Sequence, residues 1–162
     1  MDPALLSKFL FYTWEEFDID AEKIARAIEG SSRRFYYIYG PPCGAFPLVT
    51  KLHHRLGLES LLEIRELHRP NSGLNYPSLE YQREFHEWEK SILVVDDIAD
   101  TGKTLKGFHG RGIFIATIFR HPNCSFEPDI SIREKDDRWI IFPWEDKEKE
   151  IANGLKIMNS NK

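Results

Sequence analysis

Apolar residues along this chain follow two periods in turn, and the switches between them outline the fold. Phe17, Ala21, Ile24, Ala25 and Ile28 recur at helical spacing and Gly30 follows as a stop signal, which predicts an amphipathic helix. Phe35 to Tyr39 is an aromatic, β-favouring run that ends at Gly40. Ala45, Leu48, Val49, Leu52 and Leu56 form a second helical stripe closed by Gly57, and Leu61 to Ile64 reads as a second strand. Ile92 to Val95 is too short an apolar run for a helix and reads as a strand buried on both faces. A short helix is expected over Thr101 to His109, a strand in Ile113 to Phe119 and a shorter strand near Asp129–Ile132. An apolar patch at Trp139 to Phe142 and a final helix from Glu145 complete the series. Strands alternating with helices predict an α/β domain built on a parallel sheet with right-handed crossovers. Residues 66–90 break the pattern: they are polar, carry Pro70, Gly73 and Pro77, and hold Tyr76, Tyr81, Phe85 and Trp88. That length without periodicity predicts a functional lid or hood, its aromatics packing within the hood or against another subunit.

The chemistry concentrates at the end of the Ile92–Val95 run. Asp96 and Asp97 fall at the carboxyl end of a strand, where open parallel sheets bind their ligands. Ala99-Asp100-Thr101-Gly102-Lys103-Thr104 follows at once, a small loop with a glycine and two hydroxyls that opens a helix and so suits an anion. Two carboxylates beside a phosphate cradle fit a phosphorylated sugar, whose hydroxyls donate to the acids while the loop holds the phosphate. A nucleotide P-loop is excluded, because Asp97 stands where that motif needs its first glycine. A phospho-acceptor receiver domain carries its acidic pair on the first strand, whereas here some ninety residues precede it. A bland capped turn explains the segment poorly, since three carboxylates within five residues repel one another.

Composition narrows the class without changing it. The 162 residues suit one domain with a sizeable core, and 41% hydrophobic with 30% charged residues is ordinary for a globular protein. A net charge of -4 with no basic block argues against nucleic acid as the main partner. No apolar run is long enough for a membrane span, and the start of the chain lacks a signal peptide's pattern, so a cytoplasmic, reduced protein is the expectation. Cys43 and Cys124 show no spacing that suggests a disulfide framework or a zinc site.

The stretch from Ile92 to Leu105 resembles the phosphoribosyl-pyrophosphate (PRPP) signature of type I phosphoribosyltransferases: an apolar strand, two acids, two small or apolar residues, then Asp-Thr-Gly-x-Thr. Thr13-Trp14 with its following helix, the turn at 40–47 and the segment from Trp139 to Glu145 fall in the order found in 6-oxopurine phosphoribosyltransferases, most similarly the compact microbial xanthine-guanine and hypoxanthine type. The resemblance implies a single domain over 1–162 with a five-stranded parallel sheet flanked by helices and a small hood from about 66–90 and 137–145. It also implies Mg²⁺ and transfer of ribose 5-phosphate from PRPP to guanine, xanthine or hypoxanthine in purine salvage. Relatives of this type usually associate, so a homo-oligomer is in keeping with it.

Carried over residue by residue, the resemblance gives Asp96 and Asp97 the ribose hydroxyls, directly or through Mg²⁺. Asp100, Thr101, Gly102, Lys103 and Thr104 become the 5′-phosphate loop, and Asp100 also the general acid/base for the purine's imidazole proton. As sequence alone, a helix N-cap is the plainer alternative for Asp100, and a solvent-facing side chain for Lys103. Trp139 matches the aromatic that stacks on the purine, with backbone groups near Ile140 and Ile141 reading its edge; a core role is the plainer alternative. Trp144 reads as structural.

Two departures from the pattern stand out. Relatives carry Arg-Gly-Gly or Lys-Gly-Gly in the pyrophosphate turn, and this chain has Pro42-Cys43-Gly44, with a proline that cannot donate. Amides of Cys43, Gly44 and Ala45 remain for pyrophosphate, and Pro42 raises the prospect of a cis peptide there. Second, alignment on Pro122 puts His121, with Arg120 beside it, where relatives carry a lysine that donates to the 6-oxo oxygen. The missing basic residue motivates one rival: a non-catalytic PRPP- or nucleotide-binding regulatory module of the same fold.

Overall fold

The computed structural model describes residues 3–60 and 91–160. A short helix α1 (Pro3–Leu6) and strand β1 (Phe9–Phe11) lead to the long helix α2 (Trp14–Glu29). Thr13 starts α2 with a capping box: its hydroxyl accepts from the Glu16 amide, and the Glu16 carboxylate accepts from the Thr13 amide. Phe17, Ala21, Ile24, Ala25 and Ile28 are all buried, as their spacing predicts, and the large apolar side chains among them each contribute about 1.5–3 kcal/mol. Strand β2 (Tyr37–Tyr39) is followed by α3 (Phe46–Leu56), which ends where Gly57 turns left-handed at φ 66°. Next come β3 (Glu59–Ser60), β4 (Ile92–Ala99), a one-turn helix α4 (Lys106–His109), β5 (Phe114–Arg120), β6 (Ile130–Glu134), β7 (Trp139–Ile141) and α5 (Lys147–Ser160).

Five strands pair in parallel in the order β3-β2-β4-β5-β6, the sheet the sequence leads one to expect. A second, two-stranded parallel ladder joins β1 to β7, with Leu10 opposite Ile140. Nothing in the sequence reading anticipated β1, because three residues carry no period of their own. The expected strand Leu61–Ile64, the 66–90 lid and its four aromatics lie outside the described residues.

Several boundaries differ from expectation, and two of the differences bear on the site. Strand β4 runs four residues past Val95, through both acids to Ala99, because β5 continues to supply partners: Asp96 faces Thr117 and Ala99 faces Arg120. The helix expected over Thr101 to His109 shrinks to Lys106–His109, since the preceding loop holds its own conformation, with Gly102 at φ 80°.

Side chains of β4 alternate between two cores. Leu93 and Val95 join α2 and α3 on one face, while Ile92 and Val94 meet Leu105, Phe108 and Phe126 on the other. A polar knot fixes α2 to the sheet. Asp20, fully buried, accepts from the Tyr12 hydroxyl at 3.0 Å, pairs with Lys23 at 3.0 Å and takes the Arg133 Nε. Arg133 also reaches Glu16 at 3.0 Å and lies over the Tyr12 and Phe119 rings. Burial next to Asp20 pushes the Tyr12 phenol far above its ordinary range, so it stays protonated and donates to Asp20.

Asp20→Ala leaves the Tyr12 hydroxyl and the Arg133 Nε without their buried acceptor, while Arg133 keeps its pair with Glu16. A loss of about 1–3 kcal/mol in unfolding free energy is expected from urea titration, against a much smaller loss for exposed Asp18→Ala.

Candidate active site

Strand β4 carries Asp96 and Asp97 to the carboxyl edge of the sheet, each only 8% exposed. Their side chains open into a cleft of about 310 Å³ whose other walls are the loop Asp100–Leu105, Ile98, Ala99 and, from the turn after β2, Pro41, Pro42 and Gly44. The Asp96 carboxylate accepts from the Asp97 amide at 3.0 Å. Asp97 lies directly on Gly44: a Cβ there would fall 2.2 Å from its Oδ2, so only glycine lets the turn approach this close.

Water is scarce around both acids, and this sets their charge. Burial, and then the neighbouring Asp97, hold the Asp96 carboxyl well above the usual carboxylate range. Burial likewise pushes Asp97 up to about 6, against the opposing hydrogen bond with Asp96. Two desolvated acids side by side attract a cation or the hydroxyls of a ligand. Among the described residues no three His, Cys, Asp or Glu side chains converge as a metal-binding set. Asp96 and Asp97 therefore suit a hard cation that draws its remaining oxygens from water and ligand, as Mg²⁺ does.

The loop after β4 is braced from behind. Gly102 sits against Ser125, Cys124 and Phe126, so closely that a Cβ would meet Ser125 Oγ at 2.6 Å. The Ser125 amide donates to the Thr101 carbonyl, the Lys103 amide to the Thr101 hydroxyl, and the Lys106 amide to the Gly102 carbonyl. Because α4 begins only at Lys106, with Leu105 at its N-cap position, Asp100 is not a helix cap. A four-residue helix also adds little dipole, so the loop's own amides and the Thr101 and Thr104 hydroxyls are what an anion would meet. Lys103 is exposed at the cleft.

Sequence reasoning placed Asp96, Asp97, Asp100, Thr101, Gly102, Lys103, Thr104 and Gly44 together, and all line this one cleft. Cys43 does not line it but is exposed, and the cis peptide falls between Pro42 and Cys43 rather than before a proline. Both cysteines are free thiols. His121, Trp139 and Ile140 also stand outside the lining residues. The His121 amide donates to Ala99, its Nδ1 accepts from the Asn123 amide at 3.1 Å, and its Nε2 faces Asp137 at 3.7 Å. Trp139 is half-buried over Gly154 and donates to Glu150 at 3.3 Å, while the Ile140 side chain is in the core. Trp144 stacks on Phe142 at 4.8 Å, the structural role its sequence context suggested.

Sequence reasoning missed Lys135, whose Nζ stands 3.9 Å from Asp100 Oδ1. Lysine at a strand end looks like a solvated residue, and only the pairing of β6 beside β5 brings it here.

The chain belongs to the phosphoribosyl transferase domain family, whose model matches residues 11–149. Within it, this chain is similar to microbial purine enzymes. Over 154 residues it is 27% identical to the xanthine-guanine phosphoribosyltransferase of Cereibacter sphaeroides, covering 82% of this chain and 84% of that one. Its fold matches the purine phosphoribosyltransferase of Pyrococcus horikoshii (TM-score 0.59, 23% identity, 86% of this chain and 95% of that one). It also matches the xanthine-guanine-hypoxanthine phosphoribosyltransferase of Helicobacter pylori (TM-score 0.62, 19% identity, 90% and 99%). Among the described residues no helix is long and apolar enough to cross a membrane.

The raised acids give a signed pH dependence in metal-free protein. The unfolded chain releases these protons near the ordinary aspartate pKa of about 3.9. Folded Asp97 keeps its proton to about 6, so the folded state binds more protons in that interval. Its stabilising contribution is complete below the unfolded pKa and is lost as pH rises through about 6. In EDTA, Asp97→Asn should therefore gain stability relative to the parent protein between pH 4 and 7.5, by about 1–3 kcal/mol from urea midpoints. A pH-independent difference would contradict the assigned burial.

Proposed function

We propose that this protein transfers ribose 5-phosphate from PRPP to a 6-oxopurine, guanine, xanthine or hypoxanthine, and releases pyrophosphate. The observation that carries this reading is the convergence of Asp96, Asp97 and the Asp100–Leu105 loop on one cleft. Family membership and the likeness to purine enzymes support it.

Asp96 and Asp97 accept from the ribose 2′- and 3′-hydroxyls. The loop amides, with the Thr101 and Thr104 hydroxyls, hold the 5′-phosphate, and Lys103 adds positive charge at its exposed edge. Asp96 and Asp97 would hold Mg²⁺, which would supply charge to offset that of the departing pyrophosphate. The purine N9 lone pair forms the bond to C1′ as the C1′–O bond breaks, and that electron pair leaves on pyrophosphate. Asp100 takes the proton given up by the imidazole ring. The uncovered part of Trp139 offers the purine a stacking surface, and backbone groups near Ile140 read the base's edge. Placed proton transfer is worth about 10²–10⁴-fold, and a preorganised donor at developing charge roughly 3 kcal/mol.

The turn after β2 keeps a second reading alive. It presents Pro41, Pro42 and Gly44 to the cleft with no basic side chain, which favours a PRPP- or nucleotide-binding regulatory module without turnover. Purified protein with Mg²⁺, PRPP and each of guanine, xanthine, hypoxanthine and adenine separates the two: nucleotide formed with a 6-oxopurine supports transfer, and PRPP binding without turnover on any base supports the module.

Asp100→Asn is expected to lose about 10²–10⁴-fold in kcat while PRPP binding persists, and unchanged rates would remove Asp100 from proton transfer. Asp96→Asn combined with Asp97→Asn should abolish PRPP binding in the presence of Mg²⁺; undiminished affinity by calorimetry would contradict the sugar-binding role.

A further inference from the structure

Among the described residues three buried side-chain polar atoms have no hydrogen-bond partner: Arg120 Nε, Trp144 Nε1 and Thr117 Oγ1. Arg120 is still paired, with Glu127 at 2.7 Å, and Trp144 lies among the rings of Trp14, Phe17 and Phe142. Thr117 has no such setting. It is fully buried in the middle of β5, where a valine would fill the same space. Packing therefore does not account for the hydroxyl, and a buried hydroxyl left unpaired costs stability.

Strand register identifies its neighbour. β4 and β5 run parallel with Val94 opposite Ile115, Val95 opposite Ala116 and Asp96 opposite Thr117. Val94 and Ile115 enter the core that holds Leu105 and Phe108, while Val95 and Ala116 enter the other. This alternation sets Asp96 and Thr117 side by side on the Leu105 face of the sheet. Asp96 lines the cleft, and Thr117, on the neighbouring strand, does not. The Asp96 carboxyl accepts from the Asp97 amide at 3.0 Å, whereas an ionised carboxylate has room for about four donors.

We propose that Thr117 is a positioning residue for the sugar: its hydroxyl donates to the Asp96 carboxylate when ligand hydroxyls engage that acid, and fixes the orientation in which Asp96 accepts from the ribose. The proposal rests on the sugar-binding role given to Asp96 above and deepens it. Thr117 touches no ligand and acts through Asp96. The cost of its unpaired hydroxyl in the free protein is relieved on binding, so it favours ligands that carry ribose hydroxyls over those that lack them.

Binding of guanosine 5′-monophosphate and of its 2′,3′-dideoxy counterpart, measured by calorimetry, tests this without requiring turnover. The parent protein should prefer the ribonucleotide by about tenfold or more, the scale of a hydrogen bond to a charged group. Thr117→Val and Thr117→Ala should each cut that preference by about three- to tenfold through weaker binding of the ribonucleotide alone, and Thr117→Ser should keep it. Ligand-free Thr117→Val should melt no lower than the parent, because the unpaired hydroxyl goes and the volume stays. A lower melting temperature for Thr117→Val that Thr117→Ser does not share would put the hydroxyl in a bond of the free protein and overturn the proposal. Equal weakening of both nucleotides, or of neither, would also overturn it while leaving the sugar-binding role of Asp96 standing. Should the parent bind neither nucleotide, or bind both alike, that role falls and Thr117 with it.

Discussion

Two adjacent carboxylates held out of water are the constraint around which this molecule is organised. Asp96 and Asp97 are held at the cleft because β4 is the central strand, paired with β2 as far as Val94 and with β5 through Ala99. Their desolvation is a standing cost that a buried acid lowers by keeping its proton or by gaining a cation. Gly44 completes the arrangement, since any side chain there would displace the Asp97 carboxylate. A cation or a hydroxyl-bearing ligand placed at these acids would relieve this cost, so binding there and the architecture of the strand are energetically linked.

The rest of the fold keeps that edge rigid. On one face α2 and α3 cover the sheet, and the Asp20–Arg133 knot ties α2 to β6 through buried charge. On the other, cover is thinner: α4 is a single turn, and the loop near Cys124 to Phe126 takes over as the brace behind Gly102. The Asp100–Leu105 loop is thus shaped by packing from a distant segment and by its own hydrogen bonds, where the sequence suggested a helix dipole. Its left-handed glycine is the position at which that shape and the residue type agree.

The same edge shows how a site departs from its family's pattern without losing its logic. The position aligned with a family lysine holds His121, whose Nδ1 accepts from the Asn123 amide and whose Nε2 stands 3.7 Å from Asp137. The Lys135 ammonium stands 3.9 Å from Asp100, brought there from the adjacent strand. Strand order decides this, since β6 lies next to β5 and its end falls level with Arg120.

Much of the fold and half of the candidate site were legible in the residues themselves. The α2 and α3 stripes follow from helical spacing, the β4 core from an uninterrupted apolar run, and the cleft from acids followed at once by a glycine-and-hydroxyl loop. All of these are local signals, carried within one or two turns of chain. Tertiary structure decided the remainder: the extension of β4 to Ala99, the loss of most of the expected helix at 101–109, the β1–β7 ladder, and the meeting of Lys135 with Asp100. Each depends on a partner distant in sequence, and periodicity records which face a residue presents but not which neighbour will stand against it.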